Sequence, residues 1–135
     1  MVTRTQKYLT TKGHKLLAAE HTKLFKVERP ALVLNLQKAA SEGDRSENAE
    51  YIYTKKRLRE VDRRIRYLEK LLKGCISIDP KSTASARRAG FASHVTLQDK
   101  KGMKQKWIII GEGEHDFYKD GVSWKSPMGK ALFGK

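Results

Sequence analysis

Through residue 73 the chain places apolar residues every three or four positions, the period of an amphipathic helix. Thr10 or Thr11 can cap the start of a first helix, with Leu9 placed to pack back on its first turn. Leu17, Leu24, Val27, Ala31 and Leu34 then mark one face, which Leu16 and Phe25 widen. Pro30 interrupts this run, because an interior proline removes a helical hydrogen bond and clashes with the preceding turn. The pattern predicts a kink there and resumption in phase, then an end near Ala39–Ala40 with Gly43 as the stop. In the second helix Tyr51, Thr54, Leu58, Val61, Ile65, Leu68 and Leu72 alternate by three and four without a fault. A short link between two such helices makes them antiparallel neighbours. Residues 1–74 therefore read as an antiparallel coiled-coil hairpin.

Gly74 changes the texture. Ile76–Ile78 forms a short strand that Pro80 terminates, and Lys81 to Gly90 is linker-like. Residues 93–98 and 106–110 read as strands joined by the turn residues Asp99 to Gly102, with a further short strand at 122–124. Ser126 and Pro127 suit the cap and first position of a last helix, with Met128, Ala131 and Leu132 facing inward. Trp107 and Trp124 fit a core better than a ligand-stacking role. The fold class is α+β, a helical hairpin (1–74) followed by a small β-rich domain (75–135). That domain is short of strands and keeps an unpaired sheet edge.

Charge alters the picture. The 135 residues include 29 Lys and Arg against 15 Asp and Glu, a formal net charge of +14. A field of that sign favours a polyanionic partner such as nucleic acid. Cys75 is the single cysteine, so no intrachain disulfide forms and no cysteine-built metal site exists, which suits a reducing compartment. No apolar stretch reaches the length of a signal segment or a membrane span, so a cytoplasmic protein is expected. His14, His21, His94 and His115 are scattered without ligand spacing, and no nucleophile elbow or phosphate-binding glycine loop is present.

Two features carry candidate chemistry. Residues 41–51, between the helices, gather Glu42, Asp44, Glu47 and Glu50 around Gly43. Acids in a first turn suit the positive end of a helix dipole, and Ser46 or Asp44 could cap the second helix. Arms of ~30 residues span about 45 Å, so the turn lies far from any core those acids could serve. Further along, Lys55, Lys56, Arg57, Arg59, Arg63, Arg64, Arg66, Lys70 and Lys73 outnumber Glu60, Asp62 and Glu69. This excess reads as a stripe that tracks phosphates, with arginine suited to phosphate oxygens and little base specificity expected.

The stretch from Ala40 to Tyr51, containing Gly43-Asp44-Arg45-Ser46-Glu47-Asn48-Ala49-Glu50-Tyr51, resembles the tip motif of the Gre transcript cleavage factors. The basic run from Lys55 to Leu68 resembles the GreB branch more than the GreA branch. Thr10-Thr11-Lys12-Gly13, Glu28-Arg29-Pro30 and Ser126-Pro127-Met128-Gly129-Lys130-Ala131-Leu132 fit as well. The resemblance spans nearly the whole chain and implies an FKBP-like C-terminal domain that docks on bacterial RNA polymerase, with Ser126, Pro127 and Met128 at the docking site. It implies a coiled coil inserted into the polymerase secondary channel, where the tip assists the polymerase's own hydrolysis of backtracked RNA. Asp44 would share a weakly held Mg²⁺ with the polymerase, and Glu47 would orient or activate the attacking water. Ser46, Asn48, Glu50 and Tyr51 would support the tip. Lys55, Lys56, Arg57, Arg59, Arg63, Arg64 and Arg66 would hold the extruded RNA 3′ end.

The same resemblance implies an accessory factor and not a free-standing enzyme, a monomer with no cofactor bound on its own. Family members continue past the Ser-Pro helix with about two more strands, so the C-terminal domain is expected to be shortened. Three other readings stand beside it. They are a secondary-channel regulator that inhibits without stimulating cleavage, a general nucleic-acid-binding coiled coil, and an FKBP-like prolyl isomerase needing an aromatic-lined pocket.

Overall fold

A computed structural model describes residues 7–43, 47–84 and 87–135. The chain divides into two compact units, Leu17–Lys73 and Met1–Leu16 with Gly74–Lys135. Among the described residues, no helix is long and apolar enough to cross a membrane.

The first unit is the helical hairpin. Its first arm contains α1 (Thr11–Lys23) from Leu17 onward, a π-helical segment (Leu24–Glu28) and α2 (Arg29–Ala40), and its second arm is the single helix α3 (Ala49–Leu72). The expected seam of α3 is present, with Thr54, Val61, Ile65 and Leu68 buried and Leu58 half-buried. At its far end Leu71 is buried and Leu72 half-buried.

The first arm departs from expectation. Leu17 and Leu24 are buried as expected, but Val27 and Leu34 are 62% and 66% exposed, and Phe25 also faces out. After Leu24 the inward side is carried instead by Glu28 and Arg29, Leu32 and Val33, Leu36, and Ala39 and Ala40, of which Ala39 is buried and the others half-buried. The periodicity therefore resumes one residue out of phase. In the π segment the Arg29 N–H donates to the Leu24 carbonyl, five residues back, so the turn holds one residue more than an α-turn. Pro30 supplies the reason: it has no N–H to offer and its ring would crowd the carbonyl four residues back, which a widened turn relieves.

The second unit begins with a strand where the sequence reading placed the hairpin. β1 (Tyr8–Thr10) pairs in parallel with β2 (Ile76–Ile78), Tyr8 opposite Ile76 and Thr10 opposite Ile78. Residues up to Leu16 group with the C-terminal part in this division, whereas the sequence reading divides the chain once, at residue 74. The three expected strands after it are present as β3 (His94–Gln98), β4 (Lys104–Ile110) and β5 (Gly121–Ser123). β3 and β4 run antiparallel and β4 and β5 parallel. Asp99 shapes the β3–β4 turn, its Oδ1 accepting from the Lys101 and Met103 N–H groups at 2.8 Å each.

Tyr8, Phe91, Ala92, Ile109 and Trp124 form the core of this unit, with the Tyr8 and Trp124 rings edge to face at 5.2 Å. Trp124 is thus a core residue, while Trp107 is half-buried. The last helix, α4 (Pro127–Leu132), is capped as expected, the Ser126 hydroxyl accepting from the Gly129 N–H at 3.0 Å. Its inward face is corrected: Gly129 is buried, Leu132 is half-buried, and Met128 and Ala131 are exposed. A Cβ on Gly129 would meet the Ser123 carbonyl oxygen at 2.0 Å, so the backbones approach too closely there for a larger residue to be the buried one.

Glu114 has no exposed surface and binds β1 to the rest of the unit. Its carboxylate accepts from the Thr10 N–H at 3.0 Å, from the Thr10 hydroxyl, and from the Gly111 N–H at 2.6 Å. Gly13 makes room for it, since a Cβ there would overlap Glu114 Oε1.

Candidate functional site

The tip of the hairpin is built by helix ends. α2 stops at Ala40, where the Ser41 N–H bonds back to the Gln37 and Lys38 carbonyls and its hydroxyl donates to Lys38 O at 2.7 Å. Gly43 follows with φ +144°, a conformation that side chains disfavour, so glycine lets the chain leave the helix at once. Asp44, Arg45 and Ser46 lie outside the described residues.

The chain re-enters α3 through Asn48, which is the cap expected at Asp44 or Ser46. Asn48 Oδ1 accepts from the Tyr51 N–H at 3.1 Å, and Nδ2 donates to the Ala39 carbonyl at 2.7 Å. One amide therefore satisfies a free donor of α3 and an α2 carbonyl, pinning both arms together at the turn. The sequence held a signal for this: Asn48 stands three residues before Tyr51, the first seam position.

Around that pin Glu42, Glu47 and Glu50 are exposed, and Glu50 stands in the first turn of α3, where the helix dipole favours a negative charge. Tyr51 is half-buried, with the Lys55 ammonium 5.8 Å from its ring centroid. Among the described residues, no group of three or more His, Cys, Asp or Glu could hold a metal ion. The described acids could add a carboxylate to a Mg²⁺ held elsewhere, since that ion accepts one or two carboxylates and keeps its waters.

The charges of α3 sort by face. At about 100° per residue, Lys55, Lys56, Arg59, Arg63 and Arg66 share the side opposite the buried Thr54, Val61, Ile65 and Leu68. All five are exposed. The flanks instead carry pairs with the first arm. Arg64 grips Glu20 with two hydrogen bonds, 2.7 and 3.0 Å, and the bond from Arg64 holds the Glu20 carboxyl below its ordinary range. Arg29 Nε donates to Asp62 at 2.7 Å, His21 Nε2 lies 3.0 Å from Glu69, and Arg57 is 3.5 Å from Glu28. Arg57 and Arg64, read from sequence as part of the stripe, are thus engaged within the hairpin.

Residues 7–76 match the family described as "Transcription elongation factor, N-terminal", and residues 84–135 match "Transcription elongation factor, GreA/GreB, C-term". The chain belongs to the GreA/GreB family. Within it the similarity is to GreB. The chain is 39% identical over 132 residues to the transcription elongation factor GreB of Neisseria meningitidis serogroup B, covering 98% of this chain and 81% of that protein. It is 43% identical over 128 residues to GreB of Xanthomonas axonopodis pv. citri, covering 94% and 76%. Two solved structures share the fold. The transcription factor Gfh1 gives a TM-score of 0.52 at 22% identity, covering 98% of this chain and 84% of that one. Gfh1 of Thermus thermophilus gives 0.51 at 22%, covering 96% and 84%. The α+β class, a helical hairpin with a small sheet unit, is that of a Gre factor.

Proposed function

We propose that this Gre-family elongation factor binds bacterial RNA polymerase, enters its secondary channel with the hairpin and stimulates the polymerase's cleavage of backtracked RNA. The observation that carries the reading is the pinned tip, where Asn48 holds exposed Glu42, Glu47 and Glu50 at the end of a hairpin with a basic back. Those acids serve no core of their own, and family membership supports their use on a partner. The protein then acts as an accessory factor in the cytoplasm, as a monomer. The α4 start, Ser126, Pro127 and the exposed Met128, belongs to the docking surface on polymerase.

In this mechanism Glu47 orients the attacking water and accepts its hydrogen bond. Asp44 would contribute a carboxylate to a Mg²⁺ shared with polymerase, an ion that when bound would supply charge stabilisation for an in-line displacement. Ser46, Asn48, Glu50 and Tyr51 keep the turn in place. Lys55, Lys56, Arg59, Arg63 and Arg66 track the phosphates of the extruded RNA, with Arg57 and Arg64 at the margin.

The test is RNA cleavage in backtracked elongation complexes, with the full chain and its variants. Asp44→Ala and Glu47→Ala are expected to lower the stimulated rate by about 10²-fold or more, with polymerase binding within roughly two-fold. Stimulation equal to that of the parent chain would sink the assignment. A parent chain that binds and slows transcription without cleavage would favour the inhibitory reading, and tight binding to free RNA alone would favour the general nucleic-acid reading.

A further inference from the structure

Three tyrosines lie along α3, and two have a cation over the ring: Lys55 at 5.8 Å from Tyr51 and Arg64 at 5.2 Å from Tyr67. Tyr53 is different. It is 66% exposed, among the described residues no cation covers its face, and its neighbour Ile52 is 51% exposed. The same helical ridges carry Glu50 and Ala49 on the tip side of Tyr53 and Lys56 and Arg57 on the shaft side, all exposed. Arg57 is drawn partly toward Glu28 and Glu60, at 3.5 and 3.4 Å, which leaves Lys56 as the nearest uncommitted positive charge among the described residues. Tyr53 therefore stands where the acidic tip gives way to the basic face.

We propose that Tyr53 is a stacking platform for one unpaired base of a single-stranded RNA, a role that rests on the cleavage-factor reading above. Aromatic faces flanked by cations are the common means of holding single strands without reading their sequence, because every base has a π-face and every nucleotide a phosphate. Tyr53 lies about 6 Å along the axis beyond Ala49, roughly two base steps of 3.4 Å. A base on its ring sets the register of the strand: its phosphates continue along Lys56, Arg59 and Arg63, while the chain end reaches the tip acids. The ring acts as a positioning residue and touches no reacting atom. A purely apolar protein partner would match Ile52 and Tyr53 but would have to desolvate Glu50 and Lys56 beside them, which favours the nucleic acid.

The experiment uses backtracked elongation complexes whose extruded RNA carries 5-iodouridine at one of its last three positions. These are irradiated with the full chain, and adducts are mapped by mass spectrometry. The expected result is an adduct on Tyr53, kept by Tyr53→Phe and lost by Tyr53→Leu. Tyr53→Leu should also raise the factor concentration needed for half-maximal cleavage about five-fold or more, with the maximal rate within two-fold and Tyr53→Phe close to the parent. The proposal is overturned if the parent stimulates cleavage but forms no Tyr53 adduct, or if leucine serves as well as phenylalanine. It is also overturned if Tyr53→Leu weakens binding to RNA-free polymerase equally, which would place the ring against protein. A parent that stimulates no cleavage refutes the functional reading separately, while the adduct still decides whether the ring meets a base.

Discussion

The two arms of the hairpin share one seam and build it differently. The second arm is one unbroken helix, Ala49–Leu72, with an amide cap and a continuous buried stripe. The first arm is two helices joined by a π turn, and it buries only Leu17, Leu24 and Ala39 among its apolar residues while Phe25, Val27 and Leu34 face water. The flanking pairs, Arg64–Glu20, His21–Glu69 and Arg29–Asp62, lie across the seam and tie the irregular arm to the regular one. The difference teaches that a hairpin needs one well-registered helix; the other can carry a backbone defect if its phase error is absorbed locally.

That contrast can be broken most sharply by one chemical change made in both arms. Leu68→Ala, at a side chain with no exposed surface, should cost about 2–5 kcal/mol of unfolding free energy. Leu34→Ala should cost less than about 0.5 kcal/mol. Equal losses in urea denaturation would show that the first arm is in the phase its sequence suggests and that the π turn is not there. Asn48→Ala tests the pin between the arms. Loss of the cap should cost about 1 kcal/mol and speed hydrogen exchange at the Tyr51 amide more than at amides in the middle of α3.

The smallest effect is electrostatic. Arg64→Met should cost about 0.2–1 kcal/mol near neutral pH, less in high salt, because both partners are partly exposed. Bonding to Arg64 lowers the Glu20 pKa in the folded state, so this stabilisation is complete above the ordinary carboxylate range. It disappears as the pH falls through the lower folded value. The stabilities of the parent and Arg64→Met should converge in acid; a constant gap across that window would contradict the pairing.

The same contrast explains what could be read in advance. The α3 seam was legible because nothing between Tyr51 and Leu72 breaks its three-four alternation. Residues 31–36 read Ala-Leu-Val-Leu-Asn-Leu, apolar on most sides of a helix, so periodicity cannot choose between two seams one residue apart. Pro30 announces a defect but not whether it bends the helix or adds a residue to a turn. At the tip the acidic motif was plain, while the cap was not, because Asp44, Ser46 and Asn48 are all good capping residues. β1 was hidden by its length and by a partner far along the chain. Glu114 sits in a polar glycine-rich loop, where nothing in the sequence marks one carboxylate for burial.

The Thr10–Glu114 contact also has a consequence in time. The two residues are 104 positions apart, and the whole hairpin is synthesised between them. During translation at about 5–20 residues per second, the buried donors of β1 wait roughly 5–20 s for their acceptor. The hairpin needs only its own residues and can fold during that interval, drawing its two ends together and shortening the loop that β1 and β2 must close. The helical arms thus serve as a folding scaffold for the sheet unit whose sequence they interrupt.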